Sequence, residues 1–418
     1  MDTLMMLKSG PKLRGTVELP LSKSLFARVL LLKGETSAEP PCEDSRVLLD
    51  ALRNHPTHID VGAAGTAMRF LTAYLSTQEG SYTLTGSPRM KQRPIGILVN
   101  ALRQLGASIE YVKEEGFPPL RIEGGKLHGG CVEMRGDVSS QYVSALLLAA
   151  PHMEKDLSIT LTGDILSRPY IDTTLGLMQR MGHEAFWQDE RTVFARCGTV
   201  HSTELPDSIL LERDWSAASY WYEMVALSPD ALSRIELPGL QENSLQGDSA
   251  VATLFRPLGV HTEYTPQGII LTKGEALAPH VSTSLRSYPD LAQTLVATCL
   301  SLHIPFSFTG LSNLRIKETD RLEAMRCEFR RLGFVLTVTE DGTVSWDGTC
   351  VEAEEDPLLH TYEDHRMALS LAPLCYRLSS LRLQNPDVVV KSYPLFWKHF
   401  SQFNTIDQLP TPPKTCSI

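Results

Sequence analysis

Lys317–Gly333 reads KETDRLEAMRCEFRRLG. Leu322, Met325, Phe329 and Leu332 recur at helical spacing, so the last dozen residues read as an amphipathic helix. Gly333 supplies a C-terminal stop. The start is less ordinary, because Lys317, Glu318, Asp320 and Arg321 are all charged. If the helix begins at Lys317, that residue and Arg321 share a face and repel by about 0.2–0.5 kcal/mol. An anion at the helix N-terminus would turn this cost into binding. A solvated first turn capped by Asp320 is the plainer reading, and a charge run alone favours it. Similar patches elsewhere in the chain weigh against it.

Two markers recur in register along the chain. Short strand-like runs end at Gly86 (SYTLTG), Gly163 (SITLTG), Gly239 (SRIELPG), Gly310 (PFSFTG) and Asn385 (LRLQN), at spacings of 77, 76, 71 and 75. Apolar helix ends close on Gly106, Gly182, Gly259 and Gly333, at spacings of 76, 77 and 74, and a weaker fifth closes on Asn404. The chain therefore reads as about six copies of one α/β unit of roughly 75 residues, three per domain. Solenoid repeats have periods of about 20–50 residues, so each copy should be a small multi-element piece. The first copy is shortened. Its helix, near Asp44–Asn54, ends 52 residues before Gly106, and a strand pair is expected to be missing between Asn54 and Val61.

With 418 residues, the chain is too long for one ordinary core. Its 42% hydrophobic content is that of a globular protein, and the strongest apolar run, Ala145–Ala150, is far too short to span a bilayer. MDTLMMLKSG shows no basic region of a secretory signal. Eight scattered cysteines without a CxxC pair argue against a zinc ribbon or a disulfide scaffold and suit a reducing cytoplasm. A net charge of −10 argues against nucleic acid as a partner. A local cluster of cations still sets the field for a small anion. The GGKLHGG run at Gly124–Gly130 lacks Walker spacing and reads as a strand-to-strand turn.

Several patches offer chemistry. Ser22-Lys23-Ser24 opens an apolar helix that continues through Arg28, presenting hydroxyls, N–H groups and an ammonium. VGAAGTAMR at Val61–Arg69 has small residues that let a backbone approach a ligand, although tight packing explains them as well. RMKQR at Arg89–Arg93 puts three cations before Pro94, which a solvated loop would also do. Ser139, Ser140 and Gln141 head the apolar helix Tyr142–Ala150, where serines suit either a phosphate or a cap. Asp290 precedes an apolar helix and is by default its cap. Asp364, His365 and Arg366 precede another, and Lys391 follows a run of valines as an unusual charge at the end of an apparent strand. No His/Cys set has metal spacing, and no Ser–His–Asp arrangement is legible.

Taken in order, SKS at Ser22–Ser24, GTAMR at Gly65–Arg69, RPIG at Arg93–Gly96 and VSSQ at Val138–Gln141 resemble the EPSP synthase family. SRPYIDTTL from Ser167, NSLQGD from Asn243, KETDR from Lys317 and DHRMA from Asp364 extend the likeness. The resemblance implies two similar α/β domains, each of three βαβαββ units, with the first unit truncated. Residues 1–21 and 213–418 would form one domain and residues 22–212 the other, with the cations of both halves gathered in one cleft. It implies transfer of the enolpyruvyl group of phosphoenolpyruvate to the 5-hydroxyl of shikimate 3-phosphate, on the route to chorismate and the aromatic amino acids.

By the same resemblance, Lys23, Ser24, Arg28, Ser139, Ser140, Gln141, Ser167, Asp290, Asn313 and Lys317 hold shikimate 3-phosphate. Lys23, Gly65, Arg93, Gln141, Arg321, Arg366 and Lys391 hold phosphoenolpyruvate. Asp290 and Glu318 share the acid and base work, and Lys23 bridges to the leaving phosphate. No metal or organic cofactor is implied, and the enzyme is expected to be a cytoplasmic monomer without nucleic-acid or membrane partners. The chain departs from the family pattern at Ala27, Ala63, Phe70, Arg213 and Trp215. Two other readings are a non-catalytic paralogue that binds a phosphorylated ligand and a transferase acting on UDP-N-acetylglucosamine. The second needs a reactive Cys in the loop matching Gly86–Arg93, and no Cys lies between Cys42 and Cys131.

Overall fold

A computed structural model describes residues 3–198 and 211–409. The chain divides into two compact units. The first comprises Met1–Pro20, Arg213–Glu242 and Asp248–Ile418, and the second Leu21–Glu212 with Asn243–Gly247.

Among the described residues, five four-stranded sheets share one topology, a parallel pair followed by two antiparallel neighbours. In the second unit one sheet runs in the order His58–Asp60, Gly80–Thr85, Leu120–Gly124, Ser108–Tyr111. The other runs Gly130–Arg135, Leu157–Thr162, Thr192–Ala195, Ala185–Trp187. Leu157–Thr162 shows why such runs become strands. Leu157, Ile159 and Leu161 are fully buried, and Ser158, Thr160 and Thr162 alternate with them on the more open face.

The first unit holds three sheets of the same kind. Two are completed by the N-terminus. Leu4–Lys8 lies between Leu381–Gln384 and Thr405–Leu409, and Arg14–Thr16 pairs in parallel with Arg234–Pro238. Among the described residues, the first copy of the second unit contributes two helices, Lys23–Lys33 and Glu43–Asn54, and no sheet of its own. The segment after Asn54 goes directly into His58–Asp60, the first strand of the next sheet.

Gly106, Gly182, Gly259 and Gly333 all have φ between 86° and 98°. A left-handed residue there ends the helix and turns the chain back, and a side chain would be strained at each of the four positions. The Gly124–Gly130 run joins two strands, as its composition suggests. The valines before Lys391 correct the sequence reading. Pro386–Lys391 is a 3₁₀ helix, because Asn385 turns left-handed at φ 52° and Pro386 cannot continue the ladder.

Each unit has its own apolar core, with helices that are apolar nearly all round at its centre. In the first unit, Trp215–Leu227 packs against Ala292–Ser301, and both pack against His365–Leu371. In the second, Gly65–Leu75 packs against Ser140–Ala149, which in turn packs against Arg168–Arg180. Ala27 and Phe70 are buried in that core, whereas Ala63 is exposed.

Candidate functional site

In the first unit the KETDR stretch divides at Asp320. The helix runs Arg321–Arg331, and the Asp320 carboxylate accepts from the Leu322 and Glu323 N–H groups at 3.1 Å each. The cap expectation therefore holds, and the solvated first turn does not. Arg321 is only 2% exposed. Lys317 and Glu318 precede the helix, so no like-charge stripe forms. Arg321 Nε donates to Asp364 Oδ2 at 2.7 Å, Nη1 to Asp290 Oδ1 at 3.2 Å and Nη2 to Glu318 Oε2 at 2.9 Å. Burial alone would lower the Arg321 pKa; the carboxylates of Asp364, Glu318 and Asp290 outweigh it and raise the pKa.

Asp290 lies in the 3₁₀ turn Pro289–Leu291, and among the described residues it makes no capping bond to the helix Ala292–Ser301, contrary to its default reading. Its carboxylate is occupied elsewhere, accepting from Arg321 and, at 2.8 Å, from Arg366 Nη2. Burial pushes the Asp290 carboxyl up, and Arg366, Lys317 and Arg321 together hold it well below the usual carboxylate range. Asp364 is fully buried and caps His365–Leu371, accepting from the Arg366 N–H at 2.9 Å. Lys391 Nζ donates to Glu318 Oε1 at 2.8 Å. Tyr220, whose hydroxyl burial pushes up to about 12, accepts from Arg366 Nη1 at 3.4 Å. Asn313 is buried, and its Oδ1 has no hydrogen-bond partner among the described residues.

These contacts bring Asp290, Glu318, Lys317, Arg321, Arg366 and Lys391 into one cluster. Lys317, Arg321, Arg366 and Lys391 stand around the carboxylates of Asp290, Glu318 and Asp364. Arginine forks present parallel donors to carboxylate and phosphate oxygens, which suits such a cluster to a small anion.

The second unit gathers a different set. Lys23 starts its helix after the Ser22 cap and donates to Asp44 at 3.0 Å. Arg28 is buried among neutral groups. Nε donates to Thr174 Oγ1 at 2.7 Å, Nη1 to Ser24 Oγ at 2.7 Å and Nη2 to Ser144 Oγ at 3.2 Å, over the Phe70 ring at 5.4 Å. Burial pulls its guanidinium down to about 10. Ser139 caps Ser140–Ala149, and Gln141 Nε2 donates to Thr66 Oγ1 at 3.1 Å, joining that helix to Gly65–Leu75. A Cβ built on Gly65 would lie 2.7 Å from Arg93 Nη1 and 2.8 Å from Arg69 Nη1, so only glycine leaves both guanidiniums in place. Ser167, left-handed at φ 58°, opens Arg168–Arg180, the helix whose Thr174 meets Arg28.

The sequence reading left several supporting groups without a role: Asp44, Ser144, Thr174, Tyr220 and, above all, Asp364. For Asp364 a signal was present. Asp214, Asp290 and Asp364 recur at spacings of 76 and 74, the repeat period, each just before a central helix of the first unit. In the second unit the helix-opening positions are Ala64 and Ser139, 75 apart, and the helices they open have no acidic residue in their first turns. Asp214 and Asp364 cap the helices they precede, whereas no carboxylate stands in the first turn of Gly65–Leu75 or Ser140–Ala149.

Comparison with known proteins gives the family. A family model described as EPSP synthase (3-phosphoshikimate 1-carboxyvinyltransferase) matches residues 42–400. A 3-phosphoshikimate 1-carboxyvinyltransferase of Bacteroides fragilis is 48% identical over 398 residues, 94% of this chain and 96% of the relative. One from a Sulfurovum strain is 34% identical over 92% of this chain and 96% of its own length. Among solved structures, EPSP synthase from Acinetobacter baumannii superposes with a TM-score of 0.75 at 21% identity, covering 98% of this chain and all of that one, a likeness of fold. A match that runs through both units and includes the KETDR and DHRMA segments leaves one assignment: the chain belongs to the EPSP synthase family.

Proposed function

We propose that this protein is a 3-phosphoshikimate 1-carboxyvinyltransferase whose two residue sets act on one pair of substrates. The substrate 5-hydroxyl forms a bond to C2 of phosphoenolpyruvate and gives up its proton as C3 gains one. In the second step the bond between C2 and the phosphate oxygen breaks, C3 loses a proton, the C2–C3 double bond reforms and phosphate leaves with that oxygen. The observation that carries this reading is the Asp290–Arg321–Glu318 constellation. It places two carboxylates on one buried guanidinium, beside Arg366 and Lys391.

Arg321, Arg366 and Lys391 take the carboxylate and phosphate of phosphoenolpyruvate, with Arg93 and the Gly65 backbone from the second unit. Lys23, Ser24, Arg28, Ser139, Ser140, Gln141 and Ser167 take shikimate 3-phosphate, joined by Asp290, Asn313 and Lys317. The hydroxyls and N–H groups at helix starts suit its phosphate dianion. Asp290 and Glu318 exchange the protons, and Lys23 neutralises charge on the departing phosphate. Asp290 stays ionised because cations crowd it. When the anionic substrate draws those cations, its affinity for a proton rises, which is what a general base at neutral pH requires. Residues 1–21 with 213–418, and 22–212, are the two domains of this reading, and the enzyme works as a cytoplasmic monomer.

Release of inorganic phosphate from the two purified substrates tests the proposal. Turnover is expected with shikimate 3-phosphate as acceptor and not with UDP-N-acetylglucosamine. Normal ligand binding by folded protein without phosphate release would overturn it.

A further inference from the structure

Glu328 lies seven residues after Arg321 on the same helix, two turns along and on the same face. It is 1% exposed. Oε1 accepts from the Tyr362 hydroxyl at 2.6 Å, and Oε2 accepts from the His360 N–H and from Arg331 Nη1, each at 3.1 Å. These bonds reach both sides of Thr361, at the end of the strand Leu358–His360. The chain then reverses through Tyr362 and Glu363, two consecutive non-glycine residues at φ 55° and 54°, closed by the Asp364 N–H to Thr361 carbonyl bond at 2.9 Å. Left-handed side-chain residues are disfavoured, and a pair persists only where the surroundings impose it.

Asp364 is the residue this turn delivers. Its two oxygens receive Arg321 Nε and Nη2, and one also caps the helix on which Arg366 stands. The helix that begins with Arg321 thus reaches forward through Glu328 to hold the turn, and the turn reaches back through Asp364 to hold Arg321. We propose that Glu328, acting through the Tyr362 hydroxyl, is a positioning residue that fixes Asp364 and with it the two arginines offered to phosphoenolpyruvate. This rests on the preceding reading of Arg321 and Arg366.

Tyr362→Phe removes one hydroxyl from a side chain at the surface and leaves the fold intact. The KM for phosphoenolpyruvate is expected to rise about tenfold, the scale of a small misplacement of binding groups. The KM for shikimate 3-phosphate should stay near wild type, and the melting temperature should fall by only a few degrees, as the loss of one hydrogen bond to a buried carboxylate implies. Glu328→Ala should act in the same direction, and Tyr362→Phe should add little to it, since the two share one bond. Equal rises in both KM values would mark a merely structural contact and overturn the proposal, as would unchanged kinetics in Tyr362→Phe. Wild-type turnover is measured alongside, and its absence counts against the proposed function alone. Positioning is then read by calorimetry, from phosphoenolpyruvate or inorganic phosphate binding to wild type and Tyr362→Phe. Equal dissociation constants, or no binding, would overturn it.

Discussion

Lys391 Nζ donates to Glu318 Oε1 at 2.8 Å, although the two residues stand 73 positions apart. The other carboxylate oxygen of Glu318 receives Arg321 at 2.9 Å, so both oxygens are held by cations. A carboxylate fixed in this way has a defined direction, which proton exchange with a bound substrate requires.

Glu318→Gln keeps the size and an acceptor oxygen of the side chain and removes its capacity to exchange a proton. Turnover is expected to fall at least ~10²-fold. Lys23→Ala should lower turnover on a similar scale by withdrawing charge from the leaving phosphate. Phosphate release at saturating substrate checks both, and near-normal rates in the pair would remove these residues from the chemistry.

Gly65→Ala separates binding from folding. The new methyl meets the ends of two guanidiniums, which can swing aside, so the protein should fold with little loss of melting temperature. Arg93 and Arg69 would be displaced, and the KM for phosphoenolpyruvate should rise about tenfold or more. An unchanged KM would show that neither arginine meets that substrate.

Asp364→Asn takes the charge from a fully buried partner of Arg321. Breaking such a pair typically costs about 3–5 kcal/mol. Chemical denaturation should show a loss of this size, together with weaker phosphoenolpyruvate binding. A loss below about 1 kcal/mol would mean that Asp290 and Glu318 compensate for Asp364.

Glu223 concerns stability alone. It is fully buried in Trp215–Leu227, neither carboxyl oxygen has a hydrogen-bond partner among the described residues, and burial raises its pKa well above the ordinary value. Folding therefore favours the protonated acid. That contribution is complete below the unfolded pKa, near 4.5, and is lost as pH rises toward the raised folded value. Every tenfold gain in proton affinity on folding corresponds to about 1.4 kcal/mol. Wild type should lose stability relative to Glu223→Gln as pH is raised from 4 to 8, measured by denaturant midpoints. Parallel curves for the two proteins would show that the carboxyl finds compensation the fold does not reveal.

Much of the architecture was legible because it is written in local pattern. The strand alternation of Leu157–Thr162, the helical spacing of Leu322, Met325 and Phe329, and the glycine after each outer helix depend on neighbours a few residues away. Repetition of these signals every 71–77 residues made the copy number and the shortened first copy readable. The valine run before Lys391 reads as a strand because apolar β-branched residues look alike in a strand and in a half-buried 3₁₀ turn. There Asn385 and Pro386 decided the backbone.

Sequence alone determined the residue types needed for an anion site, their order, and the helix starts at which they stand. What each charge does depends on long-range packing. Asp290, by pattern a helix cap, became the carboxylate shared by Arg321 and Arg366, and Asp364 became both cap and counter-ion. The reason is that capping is settled within one helical turn. The partner of a buried charge is whichever opposite charge packing places within hydrogen-bond reach, here 31 to 76 positions away along the chain.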